Sequence, residues 1–115
     1  MIISGGVNIY PREVEDVLVM HPAVTDAAAL GVPHPEMGEA VRAVIQPADA
    51  DADRELLARE LVDFCRERIA HYKCPTSVAF VDTLPRMPTG KLAKRLLDDW
   101  VRSPTPDDRI YNPAT

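Results

Sequence analysis

Residues Val24 to Gln46 read VTDAAALGVPHPEMGEAVRAVIQ, and this stretch decides the fold class. Val24 to Val32 is an alanine-rich apolar run of strand length, with Val24, Ala28, Leu30 and Val32 predicted on one face. Val41 to Gln46 alternates. Val41, Ala43 and Ile45 fall on one side and Arg42, Val44 and Gln46 on the other, the period-2 pattern of a strand. Val32 to Gly38, between them, contains Pro33 and Pro35, which remove ladder donors and predict a loop.

Upstream of this pair, Gly5-Gly6 lies among apolar residues and predicts a hairpin, because both central positions tolerate positive φ. Pro11 opens a helix where its missing N–H is harmless, and Val14, Val17 and Leu18 form its apolar face. His21-Pro22 ends it. Downstream, Pro47 to Asp53 is a polar turn, and Asp53 is placed to cap a helix over Arg54 to Ile69. Leu57, Leu61, Phe64, Cys65 and Ile69 form its stripe, with Glu55–Arg59 and Arg59–Asp63 pairs expected on the outer face. Val78 to Val81 is a third short strand. Leu84 to Gly90 reads as a loop, and Lys91 to Val101 as a last helix with Leu92, Leu96 and Trp100 as its apolar side. The segment 102–115 is expected to be a loosely ordered tail. Strands and helices mix without strict alternation. The expectation is an α+β fold: a small three-stranded sheet, an N-terminal β-hairpin and about three packed helices.

The 115 residues suffice for one domain, burying roughly two-thirds of the unfolded surface. Hydrophobic residues make up 46% and charged residues 27%, the balance of a globular domain. A net charge of −5 lacks the basic excess of a general nucleic-acid binder. No apolar run is long enough to span a membrane, and the N-terminus has no secretory pattern, so a cytoplasmic location is expected. Cys65 and Cys74 are too few for a disulfide framework and read as reduced structural thiols. His21, His34 and His71 show no ligand spacing, and no metal site is expected.

Three segments could carry chemistry. Pro85-Arg-Met-Pro-Thr-Gly-Lys91 invites comparison with a phosphate-binding P-loop and fails it. That motif needs glycine six residues before the lysine and Ser/Thr after it, where this chain has Pro85 and Leu92. What remains is a lysine on a proline-braced loop: either a solvated cation, or one that reaches into a partner's site to offset phosphoryl charge. Ile3-Ser-Gly-Gly-Val-Asn-Ile-Tyr-Pro11 is either a tight turn or a place where a ligand approaches the backbone closely. Near His71-Tyr-Lys-Cys-Pro75, Lys73 and Arg66 either complement a helix dipole or contact phosphate.

Taken together, IISGGVNIYPREVED, HYKCP and PRMPTGKLAKR, in this order, resemble the small C-terminal domain of adenylate-forming acyl-CoA synthetases, over Met1 to about Leu97. The resemblance implies two half-reactions. A carboxylate attacks the α-phosphate of ATP, with magnesium in the family, giving an acyl-adenylate and pyrophosphate. The thiol of coenzyme A then displaces AMP. In the family the small domain swings between two poses, one for each step.

By this match, Lys91 is the catalytic lysine of adenylation, and Ser4, Gly5, Gly6 and Val7 line the coenzyme A channel. Asn8 lies near the nucleotide, and Lys73 and Arg66 are candidate contacts for coenzyme A phosphates. Where some relatives carry an arginine for those phosphates, this chain has Met37. Residues 1–101 would then be the mobile lid, and its partner a large N-terminal domain holding most of the ATP site and the acyl pocket. That domain is missing from this sequence, so the chain is expected to be a fragment, inactive alone. A second possibility is a free-standing, non-catalytic module that binds coenzyme A or a protein.

Overall fold

A computed structural model describes residues 1–93 and 110–111. In chain order the elements are β1 (Ile2–Ser4), β2 (Val7–Ile9), α1 (Pro11–Leu18), β3 (Val24–His34), β4 (Gly38–Pro47) and α2 (Arg54–Arg66). A 3-10 turn (His71–Lys73), β5 (Ser77–Phe80) and β6 (Ile110–Tyr111) follow. The class is α+β, as expected.

The sheet is larger than the three strands expected. Hairpin and strands join in one six-stranded sheet, ordered β2-β1-β4-β5-β6, with β3 paired to β4. Ser4 of β1 pairs with Gly38 of β4, so the hairpin extends the sheet instead of packing separately. Docking there covers strand edge that would otherwise stay open. β5 runs parallel to β4, joined through α2, while β6 lies antiparallel on its far side. β6 falls within the segment expected to be a tail. The rest of 102–115 lies outside the described residues.

Pro33 corrects a second expectation. The β3–β4 ladder continues through Pro33↔Glu39 to His34↔Gly38, leaving only Pro35 to Met37 as the loop. Among the described residues β3 pairs with β4 alone, so alternate positions face an edge where a missing N–H breaks no ladder bond. Near its start a register shift between Val24 and Asp26 moves Val24 across the sheet. Val24 therefore packs with Ala27 and Ala29, not with Ala28 and Leu30 as expected.

The main core lies between the sheet and the two helices. Val14 and Leu18 of α1, and Leu57, Ala58, Leu61, Val62 and Cys65 of α2, pack on Val41, Ala43, Ile45, Val78 and Phe80. Pro11 begins α1 and the Asp53 carboxylate accepts the Leu56 N–H at 3.2 Å, so both expected helix starts are observed. α2 ends at Arg66, short of the expected Ile69, and Arg59 pairs back to Glu55 at 3.3 Å. Cys65 and Cys74 are buried free thiols, and burial pushes the Cys65 thiol up to about 12. On the opposite face Ala28, Leu30, Val44, Ala79 and Leu84 form a smaller core, flanked by Val81 and Leu92.

The expected helix from Lys91 does not start there. Arg86 and Leu92 form a β-bridge, and Ala93 N–H donates to the Pro85 carbonyl at 2.8 Å. Residues 84–93 therefore fold back on themselves as a small hairpin. The remainder of that expected helix, 94–101, lies outside the described residues.

Candidate functional site

The Gly5-Gly6 turn has the backbone that its sequence requires. Gly5 and Gly6 have φ of +57° and +81°, the two successive positive values of a type I′ hairpin turn. Three contacts fix its position. Gly5 N–H donates to the Met37 carbonyl at 2.9 Å, Ser4 pairs with Gly38, and Ile3 N–H donates to the Glu39 carboxylate at 3.0 Å. Gly31 makes room for that carboxylate, since a Cβ there would collide with it. The β3–β4 loop that receives Gly5 is itself held by His34, whose Nδ1 accepts the N–H groups of Glu36 and Met37.

Ser4, Gly5 and Val7 line a cleft of about 220 Å³ together with His34, Met37 and Tyr72. Val7, Met37 and Tyr72 are large apolar or aromatic side chains left exposed at its rim. A space of this size beside an open glycine backbone fits a thin flexible chain. Gly6 and Asn8 are exposed on the same hairpin.

Lys73 and Arg66 are not equivalent. The Lys73 ammonium donates to both carboxylate oxygens of Glu13 at 2.9 and 3.1 Å, tying the 3-10 turn to α1. That hydrogen bond holds its pKa above the usual lysine value. Arg66 is exposed in the last turn of α2, where a cation complements the dipole. The Glu13–Lys73 pair spans 60 residues, beyond any local pattern.

Lys91 stands at the other end of β3. Pro88 and Thr89 turn the chain, Gly90 N–H donates to the Met87 carbonyl at 2.8 Å, and Gly90 takes a φ of +87°. Met87 N–H then donates to the Lys91 carbonyl at 2.8 Å. This is a three-residue hairpin loop, a type I turn closed by a left-handed glycine. Lys91 is exposed on it, its ammonium unpaired among the described residues. An exposed ammonium on a braced loop fits carboxylate and phosphate oxygens.

The loop is fastened to the sheet by Arg86, which binds Asp26 near the start of β3 at 2.6 and 2.7 Å. The glycine turn docks beside His34, at the end of β3. The two anchors, Asp26 and His34, lie eight positions apart along β3, roughly 26 Å at strand rise. The structure thus brings Ser4, Gly5 and Val7 together in one cleft and places Lys91 far from them. Sequence reading missed Arg86, Asp26, Glu39 and His34 as supports. The visible signals were an arginine inside the PRMPTGK motif and one acidic residue in an otherwise apolar run.

Comparison with known proteins gives this geometry its context. Residues 13–91 match the family described as AMP-binding enzyme C-terminal domain. A long-chain-fatty-acid–CoA ligase of Mycobacterium tuberculosis is 40% identical over 92% of this chain and 20% of its own length. A feruloyl-CoA synthase of an Amycolatopsis species is 48% identical over 82% of this chain and 18% of its own length. A solved structure of a Mycobacterium tuberculosis fatty acyl CoA synthetase superposes with a TM-score of 0.76 at 37% identity, covering 87% of this chain and 19% of that one. The chain spans about a fifth of the length of the curated relatives it matches. Its motifs, fold and relatives agree: the chain belongs to the AMP-binding enzyme C-terminal domain family, in the form found in acyl-CoA ligases.

Proposed function

We propose that the chain is the mobile catalytic lid of an ATP-dependent acyl-CoA ligase, serving its two half-reactions from opposite ends of β3. The observation that carries this reading is the separation of the Lys91 loop from the glycine turn. Two sites anchored at opposite ends of one strand, with roughly 26 Å between the anchors, cannot both face one active centre at once. A domain that reorients between steps can present each in turn.

In the adenylation pose, Lys91 would hold the oxygens of the attacking carboxylate and the α-phosphate. The carboxylate oxygen bonds to phosphorus as the pyrophosphate oxygen leaves, and negative charge builds on the group in flight. A preset ammonium offsets that charge and aligns the reactants. In the thioester pose, Ser4, Gly5, Gly6 and Val7 would border the path of the pantetheine arm, with Asn8 turned toward the nucleotide. Arg66 is the more available partner for coenzyme A phosphates, because Lys73 already serves Glu13. ATP and coenzyme A are co-substrates on this reading, and magnesium accompanies the ATP.

The acyl group is set elsewhere. Two relatives of similar identity are named for a long-chain fatty acid and for feruloyl-CoA, which supports an acyl choice made in the large domain. The test is complementation. The chain alone should form neither acyl-adenylate nor thioester, and adding a separately produced large domain of the ligase should restore both. Thioester formation by the chain alone would overturn the proposal.

A further inference from the structure

Lys91 has a long side chain, so its reach depends on how firmly its backbone is held. Each peptide unit is planar, and two such planes flank the residue. The one after it is held by the bond from Met87 N–H to the Lys91 carbonyl. The one before it contains the Gly90 carbonyl, and that oxygen accepts a hydrogen bond from Arg86 Nη1 at 3.0 Å. Two further donors of Arg86 go to the sheet. Nε donates to Asp26 Oδ2 at 2.6 Å and Nη2 to Asp26 Oδ1 at 2.7 Å.

Asp26 is oriented in turn. Its Oδ1 accepts the Ala27 N–H at 2.9 Å, and it sits at the register shift that opens β3. Bulges of this kind re-aim side chains near functional sites. The pair is partly sheltered, at 39% and 22% side-chain exposure, and it faces a groove of about 390 Å³ that Glu15 and Arg12 also line. Glu15 is itself committed, accepting the Ala29 N–H at 2.9 Å. One planar guanidinium therefore spans a sheet carboxylate and the carbonyl next to the lysine. A lysine at this position has no such fork.

From this geometry we infer that Arg86 and Asp26 are positioning residues for adenylation, a clamp that fixes the peptide plane preceding Lys91. This rests on the role proposed for Lys91 above. Among the described residues the clamp bonds to none that line the cleft beside the glycine turn, so its loss is felt in one half-reaction only. A misplacement of about 1 Å at a reacting group costs up to roughly a hundredfold in rate.

The experiment measures both half-reactions in the complete ligase for Arg86→Ala, Arg86→Lys, Lys91→Ala and the Arg86→Ala/Lys91→Ala double variant. Arg86→Ala should slow adenylation about ten- to a hundredfold and spare thioester formation from preformed acyl-adenylate. Arg86→Lys should recover part of the loss. In the Lys91→Ala background, Arg86→Ala should add little, because nothing remains to position. Equal loss in both half-reactions, or full additivity in the double variant, would make Arg86 a general stabiliser and overturn the clamp. If Lys91→Ala cripples adenylation while Arg86→Ala leaves it unchanged, the clamp is wrong and the Lys91 reading survives. If Lys91→Ala has no effect, both fall together.

Discussion

Gly5 and Gly6 differ in what constrains them, although both have positive φ. A Cβ on Gly5 would lie 2.7 Å from Met37 Cε, whereas one on Gly6 would meet nothing among the described residues within 4 Å. Each alanine substitution should cost about 1–2 kcal/mol from the left-handed backbone alone. Met37→Ala should relieve part of the loss in Gly5→Ala and none in Gly6→Ala, as urea denaturation of the single and double variants would show. Asp26 supplies a pH test. The hydrogen bond from Arg86 is the largest influence on its carboxyl and holds it below the usual carboxylate range. A depressed folded-state pKa gives stability that is complete above the unfolded value and lost as pH falls through the folded one. Wild type should therefore exceed Asp26→Asn in stability near neutrality, and the gap should close as the solution is taken below the ordinary aspartate range. A gap that persists in acid would mean that the carboxylate charge is not the source. Of these residues, the glycine pair was legible because its demand is local. The Asp26–Arg86 and Glu13–Lys73 pairs each bridge 60 residues, and nothing local marks such partners.

At the scale of elements, local chemistry and tertiary context part company. Asp53 was legible as a helix cap, and its bond to Leu56 N–H is present. Asp53→Ala should cost about 1 kcal/mol, read from the shift in denaturation midpoint at unchanged slope. Pro33 misled because proline is a local argument, while its tolerance in β3 depends on which edge of the sheet is open. Lys91 to Ala93 misled for a related reason. Lys91-Leu-Ala-Lys94 carries good helix formers, yet Arg86–Leu92 bridging and the bond from Ala93 to Pro85 hold 91–93 in the hairpin. Propensity is a weak prior against such contacts. The alternation of Val41, Ala43 and Ile45 was read correctly because burial on that face enforces it.

At the scale of the molecule, β3 acts as a spacer and the sheet as a rigid plate. The helices cover one face, Leu18 and Leu61 sharing a core with Phe80 of β5, all essentially fully buried. Leu61→Ala should destabilise the whole domain by about 2–5 kcal/mol and lower both half-reactions together under marginal conditions. A change at one end of β3 should be selective instead. The most direct test compares Lys91→Ala with Val7→Trp in the complete ligase, the latter filling the cleft beside the glycine turn from an exposed position. Adenylation is followed by pyrophosphate release, and thioester formation by the reaction of preformed acyl-adenylate with coenzyme A. The two-ended lid predicts that Lys91→Ala slows the first by about 10²–10³-fold, the scale of a lost transition-state contact, and spares the second. Val7→Trp should do the reverse. If either variant slows both half-reactions to the same extent, the two ends of β3 do not serve separate steps, and the account is wrong.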